Sequence, residues 1–227
     1  MEKEGYCLNC SMNRLLRTPT NTKARDFICA RCNHPYELKS TRGHFTSRIC
    51  DGAYQSMIDR VQNGSVASFF LLEYDAEWNV RELNAIHRNF IIPSVIEKRR
   101  PLSPKARRAG WIGCNILLSS IPVEGKIWLV NGCTVVPKST VRSNFQTASK
   151  LSKFSVEERG WTSLTLQILH QMNKPSFTLQ EVYALESHFA SAYPKNNNIR
   201  AKIRQQLQHL RDTELLEFQG NGCYRFK

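Results

Sequence analysis

The pattern of apolar positions in the last seventy residues predicts three helices and a β-hairpin. Apolar residues recur at helical spacing in each predicted helix, and Thr178 is placed to cap the second one. The predicted helices cover residues 163–172, 180–189 and 199–211. Asn221-Gly222 between two short apolar runs is a strong hairpin signal. Three helices followed by a hairpin form the winged-helix arrangement, in which the third helix lies in the major groove of DNA.

The third predicted helix has an apolar stripe and an opposite polar face. Ile199, Ile203, Leu207 and Leu210 form the stripe. The candidate DNA-binding residues on or beside the other face are Asn197, Asn198, Arg200, Ala201, Lys202, Arg204, Gln205 and Gln208. Arginine and glutamine can pair bidentately with guanine and adenine, and an alanine lets the helix approach the bases closely. An ordinary amphipathic surface helix would show the same pattern.

The preceding part of the chain mixes strand and helix patterns. Strands are predicted at 25–28, 36–40, 67–74, 80–86 and 126–130, and a helix at 52–62. Asp51 is placed to be the N-cap of that helix. We therefore expect an α/β (α+β) domain over residues 1–154 and a winged-helix domain over 155–227.

The excess of basic residues adds to this prediction, because it indicates a negatively charged binding partner. The 227 residues carry a net charge of +13, and residues 1–154 hold 23 Lys and Arg against 12 Asp and Glu. Such an excess favours a polyanion such as nucleic acid. We find neither a membrane-spanning run nor a secretory signal, so we expect a cytoplasmic protein with reduced thiols and no membrane partner.

The densest basic run, 98–108, leads into a loop that contains a tryptophan between two glycines. Arg107 and Arg108 are candidates for phosphate contact, although a merely solvated basic loop is the alternative. Trp111 could stack on or wedge into a base pair. It could equally be a core tryptophan against which a glycine packs closely. The sequence leaves these two interpretations of Trp111 open.

Four of the eight cysteines form two CxxC pairs with the spacing of a zinc site. Eighteen residues separate the pairs, which are Cys7 with Cys10 and Cys29 with Cys32. Two such knuckles supply the four corners of a tetrahedron, so we expect a closed, structural zinc site. The remaining cysteines are expected to be small buried or half-buried thiols. They are Cys50, Cys114, Cys133 and Cys223.

The second CxxC pair is flanked by an acid–acid–lysine pattern. The two short predicted strands around it would form a hairpin, with Glu37 and Lys39 on one face and Asp26 opposite them. This is the pattern of metal-dependent PD-(D/E)xK nucleases, although Arg25 stands where that motif has proline. Carboxylates bind a hard divalent cation, which polarises the phosphate, and the lysine serves the attacking water. The pattern also occurs by chance, and a Glu–Lys pair on a strand is usually a solvated face.

Longer strings give the chain a resemblance to a known family. From about Cys7 to Lys227 it resembles the DpnI family of methyl-directed restriction endonucleases and Dam-replacing proteins, in which a further segment precedes the first CxxC. The strings include both CxxC pairs, Asp26 with 37–40, 51–54, 107–116, 159–161, 177–179, 202–208 and 210–212.

The resemblance implies more than the patterns do. It implies a PD-(D/E)xK catalytic domain, a winged helix, and Mg²⁺-dependent cleavage of double-stranded DNA at GATC when the adenine is N6-methylated. Asp26, Glu37 and Lys39 would be catalytic, with Asp26, Glu37 and the carbonyl of Leu38 binding Mg²⁺. The Trp111 loop and the third helix would both sense the methylated site. We expect a monomer in solution. The alternative is a zinc-containing winged-helix protein that binds DNA without cleaving it.

Overall fold

The computed structural model describes residues 5–227, which form two compact units. The N-terminal unit ends at Ser149, and the C-terminal unit runs from Lys150 to Lys227. The first four residues, part of the stretch that predicts no secretory signal, lie outside the described residues. The domain boundary after residue 154 stays a prediction. Within residues 5–227, no helix is both long enough and apolar enough to cross a membrane.

A seven-stranded sheet is the frame of the N-terminal unit. Its strands are β1 (Leu16–Arg17), β2 (Phe27–Ile28), β3 (Pro35–Arg42), β5 (Ser68–Tyr74), β6 (Val80–Ile86), β9 (Lys126–Asn131) and β10 (Thr134–Val135). They lie in that order across the sheet. Only β3 and β5 pair in parallel, and this pairing sets Glu37 beside Phe69 and Lys39 beside Leu71. The central strand β5 is almost wholly buried, as its continuous apolar run predicts.

A second, smaller antiparallel sheet belongs to the same unit. It consists of β4 (Arg48–Ala53), β7 (Ile96–Lys98) and β8 (Gly113–Leu117), with β8 in the middle. Helix α1 (Tyr54–Gln62) follows β4 directly and buries Met57 and Val61. The expected helix start at Asp51 is wrong, because Asp51 lies within β4 and pairs with Cys114 of β8. The backbone is extended there, and Ala53 precedes the helix.

Helix α2 (Lys138–Ser149) packs on the large sheet and is hydrogen-bonded to the first CxxC segment. Its buried residues include Phe145, whose ring centroid lies 5.3 Å from that of His34. Arg142 of α2 donates hydrogen bonds to the carbonyls of Cys7 and Met12, at 3.1 Å each. The first knuckle is therefore fastened to a helix more than a hundred residues away in the sequence.

The C-terminal unit has the three helices and hairpin of a winged helix, with one helix divided. Its elements are α3 (Val156–Gln171), β11 (Ser176–Thr178), α4 (Leu179–Tyr183), α5 (Glu186–Ala192), α6 (Ile199–Asp212), β12 (Leu216–Gly220) and β13 (Cys223–Phe226). The helix predicted at 180–189 is two short helices, since the helical hydrogen bonding stops at Ala184–Leu185. Strand β11 adds a third strand beside β13.

Capping explains where two of these helices begin. Ser155 caps α3 and Thr178 caps α4, each in a reciprocal capping box with the glutamate three residues later. The predicted start of the first helix at residue 163 is therefore wrong, because the Ser155–Glu158 box starts α3 at Val156. The predicted cap at Thr178 is confirmed. Asn198 precedes α6 without a side-chain cap.

Candidate active site

The four paired cysteines converge on one point in the structure. Their sulfur atoms lie within 4.8 Å of one another, and the Cys7–Cys32 and Cys10–Cys29 sulfurs are 3.6 and 3.5 Å apart. Tetrahedral zinc with Zn–S bonds of ~2.3 Å requires sulfur–sulfur distances of about 3.8 Å. The donor set and its spacing therefore fit a zinc ion.

The thiols of the cluster differ in pKa, since burial raises the pKa of Cys7 and that of Cys10. Burial raises the pKa of Cys29, but N–H groups of Cys32 and Arg31 and the neighbouring cysteines lower it to about 7. A thiol of this kind becomes a thiolate ligand at neutral pH. Within residues 5–227, these cysteines are the one group of three or more His, Cys, Asp or Glu side chains close enough to share a metal.

The other four cysteines differ in exposure. Cys114 is buried and Cys223 is half-buried, as expected. The expectation is wrong for Cys50 and Cys133, which are exposed. Cys50 alternates with the buried Ile49 along β4, and Cys133 lies in the turn between β9 and β10.

Tyr36 joins the cysteine knuckle to β3, the strand that carries Glu37 and Lys39. Its hydroxyl accepts a hydrogen bond from the Leu8 amide at 3.0 Å and lies 3.4 Å from the Cys7 sulfur. Its ring stacks on Phe70 with centroids 4.9 Å apart. The residue next along β3 is Glu37. The position of Glu37 thus depends directly on the packing of the cysteine knuckle.

Glu37 and Lys39 lie on one face of β3 and contact each other. The Lys39 ammonium donates to Glu37 Oε1 at 2.7 Å, and the Glu37 side chain is 11% exposed. Burial and the nearby Asp51 carboxylate raise the pKa of Glu37. Glu37 Oε2 is buried and has no hydrogen-bond partner. An unsatisfied carboxylate oxygen in this position is an acceptor that a cation could use.

Asp26 lies across the hairpin but makes a different contact. Its backbone N–H donates to the Tyr36 carbonyl at 2.8 Å, and its Oδ2 accepts from the Leu38 amide at 2.8 Å. Asp26 is exposed. The structure therefore brings the side chains of Glu37 and Lys39 together. The Asp26 side chain is instead hydrogen-bonded to the backbone of Leu38, which lies between them on β3.

A second acid, which the sequence analysis assigned to a helix cap, completes the charged group. Asp51 Oδ1 accepts from the Lys39 ammonium at 2.7 Å, and an Arg60 nitrogen lies 3.7 Å from Oδ2. We call Glu37, Lys39, Asp51 and Arg60 the charged cluster. The Asp51-Gly-Ala-Tyr54 string was among the family resemblances, so its signal was present without a role.

Trp111 combines features of both interpretations left open by the sequence. Its ring is half-buried and packs so close to Gly113 that an added Cβ there would lie 2.8 Å from ring carbons. The Arg108 guanidinium covers the ring, 4.7 Å from its centroid. Arg107 is exposed. The tryptophan is thus packed on a glycine without being part of the core.

The polar face of α6 is largely solvent-exposed. Ile203, Leu207 and Leu210 are buried beneath it, while Ala201 and Gln208 are exposed and Gln205 is half-buried. Asn197 and Asn198, just before the helix, are also exposed. This confirms the predicted division of the helix into an apolar and a polar face.

Three cations of α6 contact neighbouring side chains of the same unit. Arg200 forms a 2.6 Å ion pair with Glu186, and Arg204 donates to the Tyr183 hydroxyl. Lys202 lies 5.7 Å from the centroid of the Trp161 ring.

Comparison with known families agrees with this arrangement. A model of the Dam-replacing family DpnI matches residues 1–154, and a model of the Dam-replacing HTH domain matches residues 157–226. The chain belongs to the DpnI family. The suspected family is thereby confirmed, together with the mixed α/β fold, the four-cysteine cluster and the C-terminal helix-turn-helix domain. Family membership supports a Dam-replacing, methyl-dependent restriction endonuclease, and the HTH domain supports DNA binding.

Proposed function

We propose that the protein is a methyl-directed (type IIM) restriction endonuclease. It cleaves double-stranded DNA at GATC with N6-methylated adenine, by Mg²⁺-dependent phosphodiester hydrolysis. The observation that carries the proposal is the Glu37–Lys39 contact on the zinc-fastened hairpin, with the Glu37 Oε2 acceptor unsatisfied. Family membership and the +13 charge of the chain support the same function.

The residues of the hairpin suit a hard divalent cation. Asp26 and Glu37 offer carboxylate oxygens, and the Leu38 carbonyl offers a neutral one, which together form an all-oxygen donor set. Magnesium bound there would neutralise phosphate charge and lower the pKa of a bound water. The four cysteines would hold zinc, with the structural task of fixing the hairpin.

The protein's own groups have separable tasks in this proposal. Lys39 keeps its ammonium charged, because the carboxylates of Asp51 and Glu37 raise its pKa against the lowering effect of burial. It can therefore donate hydrogen bonds to the attacking water or to a phosphate oxygen beside Glu37. Arg107, Arg108 and Trp111 would contact DNA from the N-terminal unit. In the C-terminal unit, the contacts would come from Asn197, Asn198, Arg200, Ala201, Lys202, Arg204, Gln205 and Gln208.

Plasmids that differ only in adenine methylation test the proposal. We expect Mg²⁺-dependent double-strand cutting of GATC-containing plasmid from a methylating host and no cutting of plasmid from a non-methylating host. Cutting confined to the unmethylated plasmid would contradict the specificity. Binding of the methylated site without products under any divalent cation would favour the alternative, a zinc-containing DNA-binding protein.

Two substitutions test the catalytic assignment. Asp26→Ala and Lys39→Ala should each abolish cutting, while binding of methylated duplex in Ca²⁺ stays close to that of the wild type. Lys23→Ala is the matched control for Lys39→Ala, because it removes the same charge from the same unit at an exposed position. Normal cutting by Lys39→Ala would show that the lysine is not catalytic.

A further inference from the structure

Asp51 is the most buried acid of the charged cluster. Its side chain is 5% exposed, compared with 11% for Glu37 and 24% for Lys39. It comes from β4 of the small sheet, whereas Glu37 and Lys39 come from β3 of the large sheet. The Lys39 ammonium is thus held between one carboxylate on its own strand and one carboxylate on another sheet.

The two carboxylates of the cluster are not equivalent. Asp51 directs Oδ1 to Lys39 at 2.7 Å, and its Oδ2 lies 3.7 Å from the Arg60 guanidinium. Glu37 directs only Oε1 to Lys39, and its Oε2 is buried without a partner. Asp51 Oδ2 is likewise buried without a hydrogen-bond partner, but it lies within ion-pair distance of Arg60, whereas the ion pair of Glu37 with Lys39 uses Oε1. Asp51 is therefore suited to hold the lysine, and Glu37 to bind a metal.

The surroundings of Asp51 keep it in place. Asp51 pairs with Cys114 on β8, and the buried Cys114 thiol lies 3.4 Å from the Gly52 carbonyl. Arg60 is fixed on α1, where its Nε donates to the Ser56 carbonyl at 3.3 Å. A buried carboxylate between two cations avoids the large desolvation cost of an unpaired charge. The Asp51 carboxylate is consequently a rigid attachment point, while a lysine side chain is flexible.

We propose that Asp51 is the positioning residue for Lys39. When Glu37 binds a metal ion, its attraction for the ammonium weakens, and Asp51 keeps the Lys39 nitrogen in its place. This inference rests on the proposed nuclease function and adds a residue to it. Asp51 acts through Lys39 and needs no contact with DNA.

The experiment compares Asp51→Asn with Asp59→Asn. Asparagine keeps the shape of aspartate and removes its charge, and Asp59 is an exposed carboxylate of α1 that accepts a hydrogen bond from Gln55. Steady-state cleavage of methylated GATC duplex should show at least a tenfold lower kcat for Asp51→Asn, with KM within twofold of the wild type. Asp59→Asn should match the wild type in both parameters. Unchanged kcat in Asp51→Asn would overturn the proposal, as would a change confined to KM.

A second measurement reports on Lys39 without requiring cleavage. Brief labelling with a small amine-reactive reagent, followed by peptide mass spectrometry, should modify Lys39 faster in Asp51→Asn than in the wild type or Asp59→Asn. A thiol-reactive reagent applied to parallel samples reports on the fold, because the buried Cys114 thiol becomes accessible when the unit opens. Equal Lys39 labelling in wild type and Asp51→Asn, with Cys114 protected, would overturn the proposal.

The two measurements separate this inference from the proposed function. If the wild type cuts no DNA, the nuclease proposal fails, and the labelling alone decides whether Asp51 positions Lys39. If the wild type cuts and Asp51→Asn cuts equally well, the nuclease proposal stands and the role of Asp51 fails. If the Cys114 thiol reacts in Asp51→Asn, the variant is partly unfolded. Lys39 labelling of wild type and variant is then compared at a lower temperature, at which Cys114 is protected.

Discussion

The two units of this protein use charged side chains in opposite ways. In the N-terminal unit, Glu37 and Asp51 are largely buried and share the ammonium of Lys39. In the C-terminal unit, the arginines of α6 are exposed, and Arg200 pairs with Glu186, which is itself 42% exposed. Buried charges are costly unless they are closely paired, whereas solvated ion pairs contribute little to stability. In the proposed function, the first arrangement serves chemistry on a bound phosphate, and the second serves contact with DNA.

The units also differ in what holds them together. Apolar packing dominates the C-terminal unit, where Trp161, Phe189, Ile203 and Leu207 are almost completely buried. The N-terminal unit adds the cysteine cluster, which Tyr36 connects to β3. We therefore expect metal removal to affect one unit far more than the other.

The largest expected effect is that of losing one cysteine of the four-cysteine cluster. Cys29→Ser should release the metal and destabilise the N-terminal unit by several kcal/mol, since binding energies of structural zinc reach ~10 kcal/mol or more. Thermal unfolding followed by circular dichroism, with zinc quantified by atomic absorption, measures the change. The exposed Cys133 provides the control, and Cys133→Ser should melt like the wild type. An unchanged melting profile for Cys29→Ser would remove the distinction between the units.

Substitutions on the polar face of α6 should change DNA recognition and leave folding intact. Gln205→Ala or Gln208→Ala should each weaken discrimination between GATC and a mismatched site by ~1–3 kcal/mol, if each contacts a base edge. Competition binding at fixed salt measures this ratio. Gln171→Ala is the control, because Gln171 is exposed at the end of α3. Equal losses of affinity for both sites would instead indicate phosphate contact.

Gly113→Ala should displace Trp111. The added methyl would lie 2.8 Å from two carbons of the tryptophan ring, and overpacking of this kind costs ~1–3 kcal/mol. Denaturant unfolding and binding of methylated duplex report on stability and on the loop. Gly52→Ala is the control, since nothing lies within 4 Å of the Cβ it would add. If Gly113→Ala bound DNA normally, the position of the ring would not matter for the interface.

Losing a capping box should have a smaller effect. Thr178→Ala removes the side chain that caps α4 and should lower the free energy of unfolding by ~1 kcal/mol. Ser191→Ala, at an exposed serine whose hydroxyl donates to a carbonyl within α5, should change it by at most about 0.5 kcal/mol. Urea unfolding of the two variants gives the comparison.

The pH dependence of the same capping box gives the smallest effect. The Lys174 ammonium and the backbone and side chain of Thr178 lower the pKa of Glu181 to about 2. A carboxyl whose pKa falls on folding adds stability above its unfolded pKa of ~4.3, and this contribution is lost as the pH falls toward 2. Glu181→Gln should therefore be less stable than the wild type at pH 7, with the difference shrinking on acidification. A constant difference between pH 7 and pH 2 would contradict this assignment.

Apolar spacing along the sequence predicted several strands with nearly correct bounds. The strand predicted at 80–86 has those bounds, and the strands predicted at 67–74 and 126–130 each differ by one residue at one end. The Ser155–Glu158 capping box is a readable signal for the start of α3, which the apolar spacing alone places too late. The break between α4 and α5 has no glycine or proline to mark it, so it could not be predicted from residue types.

The sequence by itself determined the four-cysteine cluster, the hairpin with Glu37 and Lys39, and the two faces of α6. Each of these depends on spacing along one short segment, where backbone geometry fixes which side chains are neighbours. Only the tertiary structure decided the contact of Asp51 with Lys39 and the half-buried position of Trp111. Asp51 on β4 of the small sheet reaches Lys39 on β3 of the large sheet, and Trp111 packs on a glycine of the small sheet. Such contacts depend on how separate elements pack, which no periodicity within a single segment encodes.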